Sequence, residues 1–197
     1  MTDFAPPAGF IDSPPPTVAA PDRLVSRTEE ITIDRPLAQV LACVDGTSLV
    51  DSIGEGGGLP GVAATYTLTP GPYGDVGSRH IVKLTDGTTI VEQTLERVRT
   101  AGEFRWRYVV WNYTTLAAKP LRYGVSEFHY TSAGEGSTRV RWTYSFELRK
   151  DRFPGFLGLA LGGALLKAAF LNGPYAKWMV ANLEGLKARA EAWKSQA

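Results

Sequence analysis

The sequence predicts an α+β domain in which an antiparallel sheet curls around a long C-terminal helix, and three observations carry that prediction. Beyond residue 61, six segments alternate apolar and polar residues in the manner of half-buried strands. The links between them are short and glycine-bearing, which suits antiparallel neighbours. The one later apolar segment with helical spacing that is long enough to cover such a sheet lies at the C-terminus.

Each element follows from local chemistry. Residues 1–27 are drawn as a Pro-rich flexible tail, because Pro6, Pro7, Pro14, Pro15, Pro16 and Pro21 come with few large apolar groups to offset the entropy of ordering. One domain then spans 28–197. Its first strand starts near Thr28, where Ile31 and Ile33 alternate with Thr32 and Asp34. Asp34-Arg35-Pro36 suits a helix start, and Leu37, Val40, Leu41 and Val44 are spaced for one buried face. Asp45 to Gly61 reads as a weak helical turn and a glycine-rich loop. No lysine stands where a phosphate loop needs one, so the loop is either a mobile lip over a pocket or plain surface.

The strands are Val62–Leu68, Ser78–Leu84, Thr88–Val98, Glu103–Trp111, Tyr123–Ser132 and Thr138–Leu148. Asp86-Gly87, Ala101-Gly102 and Ala133-Gly134-Glu135-Gly136 are the turns. In the last strand Val140, Trp142, Tyr144, Phe146 and Leu148 share one face while Arg139 and Arg141 take the other. The same period puts Phe104, Trp106, Tyr108 and Val110 together, and Gly124, Ser126, Phe128 and Tyr130 together. A face this aromatic needs a cover. Tyr175, Trp178, Met179, Leu186 and Trp193 supply it at helical spacing, with Asn182 on the same side, after Asn172-Gly173-Pro174 breaks or kinks the helix.

Composition narrows the partners. The chain of 197 residues carries 21 Lys+Arg against 20 Asp+Glu, which removes the electrostatic case for nucleic acid. Cys43 is the only cysteine and is read as packing, so no intramolecular disulfide is expected. Two histidines on opposite faces make no metal set, and no cofactor is expected. The N-terminus lacks a basic start and apolar signal core, so a cytoplasmic location is the expectation. Phe153 to Leu171 is apolar, but Gly155, Gly158, Gly162, Gly163 and Lys167 argue against a spanning helix. Internal packing, an oligomer interface and peripheral membrane contact stay open for it.

Several local patterns resemble the SRPBCC superfamily, which groups START lipid-transfer domains, the birch-pollen-allergen type and bacterial polyketide cyclases. They are Ile31 to Val40 with Asp34-Arg35-Pro36, Gly77-Ser78 through Asp86-Gly87, Gly136-Ser137-Thr138-Arg139-Val140-Arg141-Trp142, and Leu183-Glu184-Gly185-Leu186-Lys187. The resemblance covers roughly Thr28 to Trp193 and points to the polyketide cyclase/dehydrase-like branch. It implies a helix-grip fold: a curved sheet around the terminal helix, short helices after the first strand, and a cavity for a hydrophobic ligand between sheet and helix. The glycine-rich loop and the apolar stretch after Pro154 depart from the family pattern. His80 stands where many bacterial members carry an arginine, and the motifs identify fold rather than activity.

Wall candidates are Trp106, Tyr108, Val110, Phe128, Tyr130, Trp142, Tyr144, Tyr175 and Met179, rings supplying apolar area and hydroxyls a polar handle. His80, on the inner side with Ser78 and Val82, and Glu92 are the candidates for proton transfer. Alternation leaves open which side of its strand is inside; Glu92 is read as inside, together with Glu96. His129 is expected to face solvent. The leading expectation is a carrier or sensor of a hydrophobic small molecule such as a polyketide, lipid or isoprenoid. The alternatives are a metal-free cyclase or dehydratase using His80 and Glu92, and lipid handling at a membrane.

Overall fold

The computed structural model describes residues 6–7 and 9–194; the parts of the expected tail and domain that fall on 1–5, 8 and 195–197 lie outside the described residues. Seven strands form one antiparallel sheet: β1 Val25–Ile33, β2 Val62–Thr67, β3 Arg79–Leu84, β4 Thr89–Arg99, β5 Glu103–Trp111, β6 Leu121–Ser132 and β7 Thr138–Leu148. Their order is β1-β7-β6-β5-β4-β3-β2, so β2 to β7 meander and β1 returns to pair with β7. Strand β1 starts three residues before the expected Thr28, because Val25, Ser26 and Arg27 pair with Phe146, Ser145 and Tyr144.

Between β1 and β2 lie helix α1, Leu37–Gly46, and the single turn α2, Leu49–Ser52, whose start is capped by the Ser48 hydroxyl accepting from Asp51 N at 3.2 Å. Leu37, Val40, Leu41 and Cys43 are buried. The C-terminal segment is one helix from Gly155 to Ala192, made of a short 3-10 turn, α3 Gly158–Leu166, a π-helical stretch Lys167–Tyr175 and α4 Ala176–Ala192. Asn172-Gly173-Pro174 does not break it. A wider π turn takes in Pro174, whose missing N–H would leave an ordinary α-helical carbonyl without its donor.

The main core lies between this helix and the inner sheet face. It joins Phe104, Tyr108, Phe128, Tyr130, Trp142 and Tyr144 to Tyr175, Met179, Leu183 and Leu186. The outer face is not wholly wet, as simple alternation expects. Val91, Val109, Trp111, Tyr123 and Val125 form a second cluster there, against which Phe10, Val18 and Leu24 pack. Over its described residues the Pro-rich segment thus lies along the sheet. Trp111 Nε1 donates to the carbonyl and hydroxyl of Ser13 at 3.1 Å, Asn112 Nδ2 to Ile11 O at 2.9 Å, and Ala19 N to the Tyr123 hydroxyl at 2.7 Å. Prolines restrict the unfolded chain as well as the folded one, so two or three apolar anchors suffice where a flexible chain would need more.

Candidate functional site

The sheet and the end of the helix do not meet everywhere. Between them lies a cavity of about 430 Å³. Its floor is the inner face of β5, β6 and β7, from which Phe104, Trp106, Tyr108, Phe128, Tyr130 and Trp142 project. Two-residue periodicity puts them on one side, and the rings then set one another: Phe128 stacks on Trp142 at 4.6 Å and 17°, and Trp106 meets Tyr108 at 5.0 Å. Asn182, Leu183, Leu186 and Arg189 of α4 form the roof, and Val44 and Asp45 of α1, Leu49 and Ser52 of α2 and Ile53 after it close one end.

The glycine run does not form a free lip. Gly54 N donates to Asn182 Oδ1 at 2.7 Å, and the Gly54 carbonyl accepts from Trp178 Nε1 at 3.1 Å and Asn182 Nδ2 at 3.3 Å. A Cβ on Gly57 would stand 2.2 Å from the Pro174 carbonyl oxygen. The glycines let this loop press against the terminal helix, which is a packing role. Asn182 is therefore the pin that fixes one wall of the cavity.

Five of the nine expected wall residues line the space: Trp106, Tyr108, Phe128, Tyr130 and Trp142. The structure places Val110, Tyr144, Tyr175 and Met179 elsewhere, in solid core. Tyr144 stacks on Phe146 at 5.0 Å and Tyr175 meets both edge-on at 5.4 and 5.3 Å, which leaves no room for a guest. Alternation assigns a side of the sheet and says nothing about what fills it.

The polar groups are partly as expected and partly new. Glu92 is buried, on the inner side, opposite His80 in the β3–β4 register. The Tyr73 hydroxyl donates to Glu92 Oε1. Burial pushes the Glu92 carboxyl up to about 7, with the Tyr73 bond acting in the other direction. His80 is buried too, and burial pulls its imidazole below its ordinary value. Neither His80 nor Glu92 itself borders the cavity; Tyr73 does, its ring 4.7 Å from His80 and 5.7 Å from Trp106. Tyr73 was not singled out by its spacing. The signal available was an aromatic residue inside the loop Pro70-Gly71-Pro72-Tyr73-Gly74, where a surface turn has no need of one.

Glu96 does not share the inner face with Glu92. The β4–β5 register slips between Thr94 and Glu96, and this bulge reverses the alternation beyond it. Glu96 turns outward to Arg105 at 2.5 Å, and Arg97 comes inward to line the cavity. Arg97 Nη2 lies 3.1 Å from Asp45 Oδ1, and Arg99 Nη2 2.8 Å from Asp45 Oδ2. Arg189 donates through Nη2 to the Ser52 carbonyl at 3.1 Å, and its buried Nε has no partner among the described residues. His129 lies on the outer side, half-exposed, 2.8 Å from Glu103 Oε2. No three His, Cys, Asp or Glu side chains cluster among the described residues.

What this arrangement can do is hold an apolar molecule of modest size. Cavities of about 300–1,000 Å³ with mostly apolar walls and a few fixed polar groups are the usual form of small-molecule sites. The Ser126 hydroxyl, wholly buried, ties the floor together by accepting from Trp142 Nε1 at 2.8 Å, so the indole offers the cavity no stray polar atom.

Comparison with known proteins agrees with this architecture. Residues 25–191 match the family described as polyketide cyclase/dehydrase and lipid transport. Among the curated proteins none matches. Of solved structures, Ara h 8.0201 is similar at a TM-score of 0.57 and 12% identity, over 86% of this chain and 99% of that one. The Zhui aromatase/cyclase from Streptomyces gives 0.57 and 13% over 85% and 94%. Norcoclaurine synthase from Thalictrum flavum, solved with dopamine and hydroxybenzaldehyde, gives 0.57 and 12% over 96% and 100%. At such identities the likeness speaks for the fold alone.

Proposed function

Since this chain belongs to the polyketide cyclase/dehydrase and lipid transport family and has its helix-grip fold, we propose that its cavity holds a hydrophobic small molecule, which the protein carries or senses. The observation that carries this reading is the aromatic-walled space of about 430 Å³ between β5–β7 and α4. The ligand is one whose rings or chain lie on Phe128, Trp142 and Trp106. A polar end turns toward Arg97, Arg189 and Tyr73, which supply donors beside the aromatic floor. Native mass spectrometry of freshly purified protein is expected to reveal a copurified adduct that denaturation releases. Unchanged affinity for anilinonaphthalenesulfonate in a Trp106→Ala, Tyr108→Ala double variant would remove these residues from the binding wall and the proposal with them.

One observation favours an enzymatic reading as second. Glu92, titrating near neutrality, is wired by hydrogen bond to a tyrosine hydroxyl at the cavity wall. Such a pair can accept a proton from the carbon next to a ligand carbonyl and return one to a departing hydroxyl, so that water leaves and a double bond forms. Tyr73 is the contact group in this scheme, with Glu92 and His80 behind it. Dehydration of a β-hydroxyketone polyketide analogue is the assay. Turnover that persists in Tyr73→Phe and in a His80→Gln, Glu92→Gln double variant excludes the scheme while leaving the carrier reading intact.

A further inference from the structure

We propose that the start of the terminal helix, with the turn before it, docks this protein on an anionic lipid surface. Phe153, Phe156 and Leu161 are 61%, 61% and 56% exposed, and Leu157, Leu159 and Leu165 beside them are exposed as well. Leu116, on the neighbouring 3-10 turn Leu116–Ala118, is 73% exposed. Leu165 and Phe153 share an apolar groove with Ala117 and Pro120, which joins the two pieces into one surface. Large apolar side chains scattered singly over a surface need no explanation, but this many in one place mark a site of contact.

Charge says what the contact is. From Leu148 to Tyr175 the sequence has Arg149, Lys150, Arg152 and Lys167 against the single acid Asp151, and Lys119 adds a fifth cation from the adjoining turn. Five of the six are exposed and Arg149 is half-buried, and Asp151 is shared between Arg149 at 2.8 Å and Arg152 at 3.6 Å, so cations are in excess. The neighbouring Arg122 and Glu147 cancel at 3.1 Å. A second copy seated on this surface by two-fold symmetry would bring the same cations face to face. An anionic bilayer takes the apolar side chains below its headgroups and pairs the cations with them.

The helix Gly155–Ala192 is long and apolar enough to cross a bilayer by length and composition. It lies on the surface instead, because Leu166, Leu171, Tyr175, Met179 and Leu183 are buried in the core and would have to leave the sheet to enter lipid. The docked surface and the cavity roof sit at opposite ends of this helix, roughly 30 Å apart at 1.5 Å per residue. Docking therefore uses side chains distinct from those that line the cavity, and it stands whatever the cavity contains.

The test is sedimentation of the full chain with phosphatidylcholine vesicles, with and without phosphatidylglycerol. Wild-type protein is expected to bind the mixed vesicles about tenfold more than the neutral ones, and to release as salt rises. Phe156→Asp with Leu161→Asp is expected to lower that binding about tenfold and leave anilinonaphthalenesulfonate binding in the cavity unchanged. Lys150→Glu with Lys167→Glu should remove the preference for phosphatidylglycerol. Should the aspartate pair alter the circular dichroism, Phe156→Ser with Leu161→Ser replaces it. Wild-type protein that stays in the supernatant with both vesicles, or binding that survives both double variants, overturns the proposal. So does a dimer in sedimentation equilibrium that the aspartate pair dissolves.

Discussion

Two parts of one sheet face, under one helix, end in opposite states. Toward the middle of the helix Tyr144, Phe146, Tyr175 and Phe170 close on one another with ring centroids 5.0 to 6.5 Å apart. Toward its C-terminal end Phe104, Trp106, Phe128 and Tyr130 leave a space. Both floors are aromatic, so the difference lies in the cover. Over the solid part the helix lowers Tyr175 and Phe170 onto the sheet. Beneath them Gly124 gives up its side chain: a Cβ there would stand 2.6 Å from the Tyr144 ring and 3.0 Å from Phe146. Over the hollow part the helix offers Leu183, Leu186, Asn182 and Arg189 but no ring, and the last two are held by Gly54 and Ser52. The pocket in this protein is thus a local shortage of aromatic side chains on the helix.

The largest effect that can break this comparison is a pair of equal truncations. Tyr144→Ala in the solid part is expected to cost about 3–5 kcal/mol in denaturant unfolding, since its neighbours cannot collapse into the void. Trp106→Ala at the hollow part should cost less, about 1–2 kcal/mol, because the half-buried ring lines the cavity instead of being enclosed on all sides. Similar losses at both positions would mean that the two parts are packed alike.

Next is the pH response of the hollow part. Glu92 titrates near 7 when folded and near 4.5 when unfolded, so the folded protein binds the extra proton between those values. Stability from this group is complete below about pH 4.5 and is lost as pH rises toward 7, roughly 3 kcal/mol in all. Burial of His80 works in the opposite sense, adding stability above its ordinary value and losing it as pH falls. Glu92→Gln should therefore remove the decline between pH 4.5 and 7 in urea midpoints measured across that range. A decline that persists in Glu92→Gln belongs to another group.

Gly124→Ala sharpens the comparison from the other side. Its added methyl pushes on Tyr144 and Phe146, for a loss of about 1–3 kcal/mol, with anilinonaphthalenesulfonate affinity in the cavity unchanged. The smallest effect is at the pin. Asn182→Ala is expected to destabilise by about 1–2 kcal/mol through the Gly54 N–H left without its acceptor, and to quicken amide exchange in residues 54–61 specifically.

Much of the architecture was legible because it repeats. The alternation of Val140 to Leu148 and of Phe104 to Val110, and the spacing of Leu37 to Val44, gave elements whose inner faces the structure keeps. Glu96 and Arg97 were misplaced because one extra residue in β4 reverses every later assignment in that strand, and nothing in the local sequence announces the bulge. Tyr73 escaped because a loop residue has no period to read. The packing of Phe10, Val18 and Leu24 on the outer face escaped because their partners Trp111 and Tyr123 are far along the chain.

By itself the sequence determined which elements form and which side of each strand turns inward, since both follow from short-range backbone geometry and from the partition of apolar side chains out of water. Tertiary structure alone decided where that interior is full and where it is hollow, and that Glu92 stands behind Tyr73 rather than at the wall. Packing depends on volumes brought together from distant strands and the helix, and no stretch of the chain carries that sum.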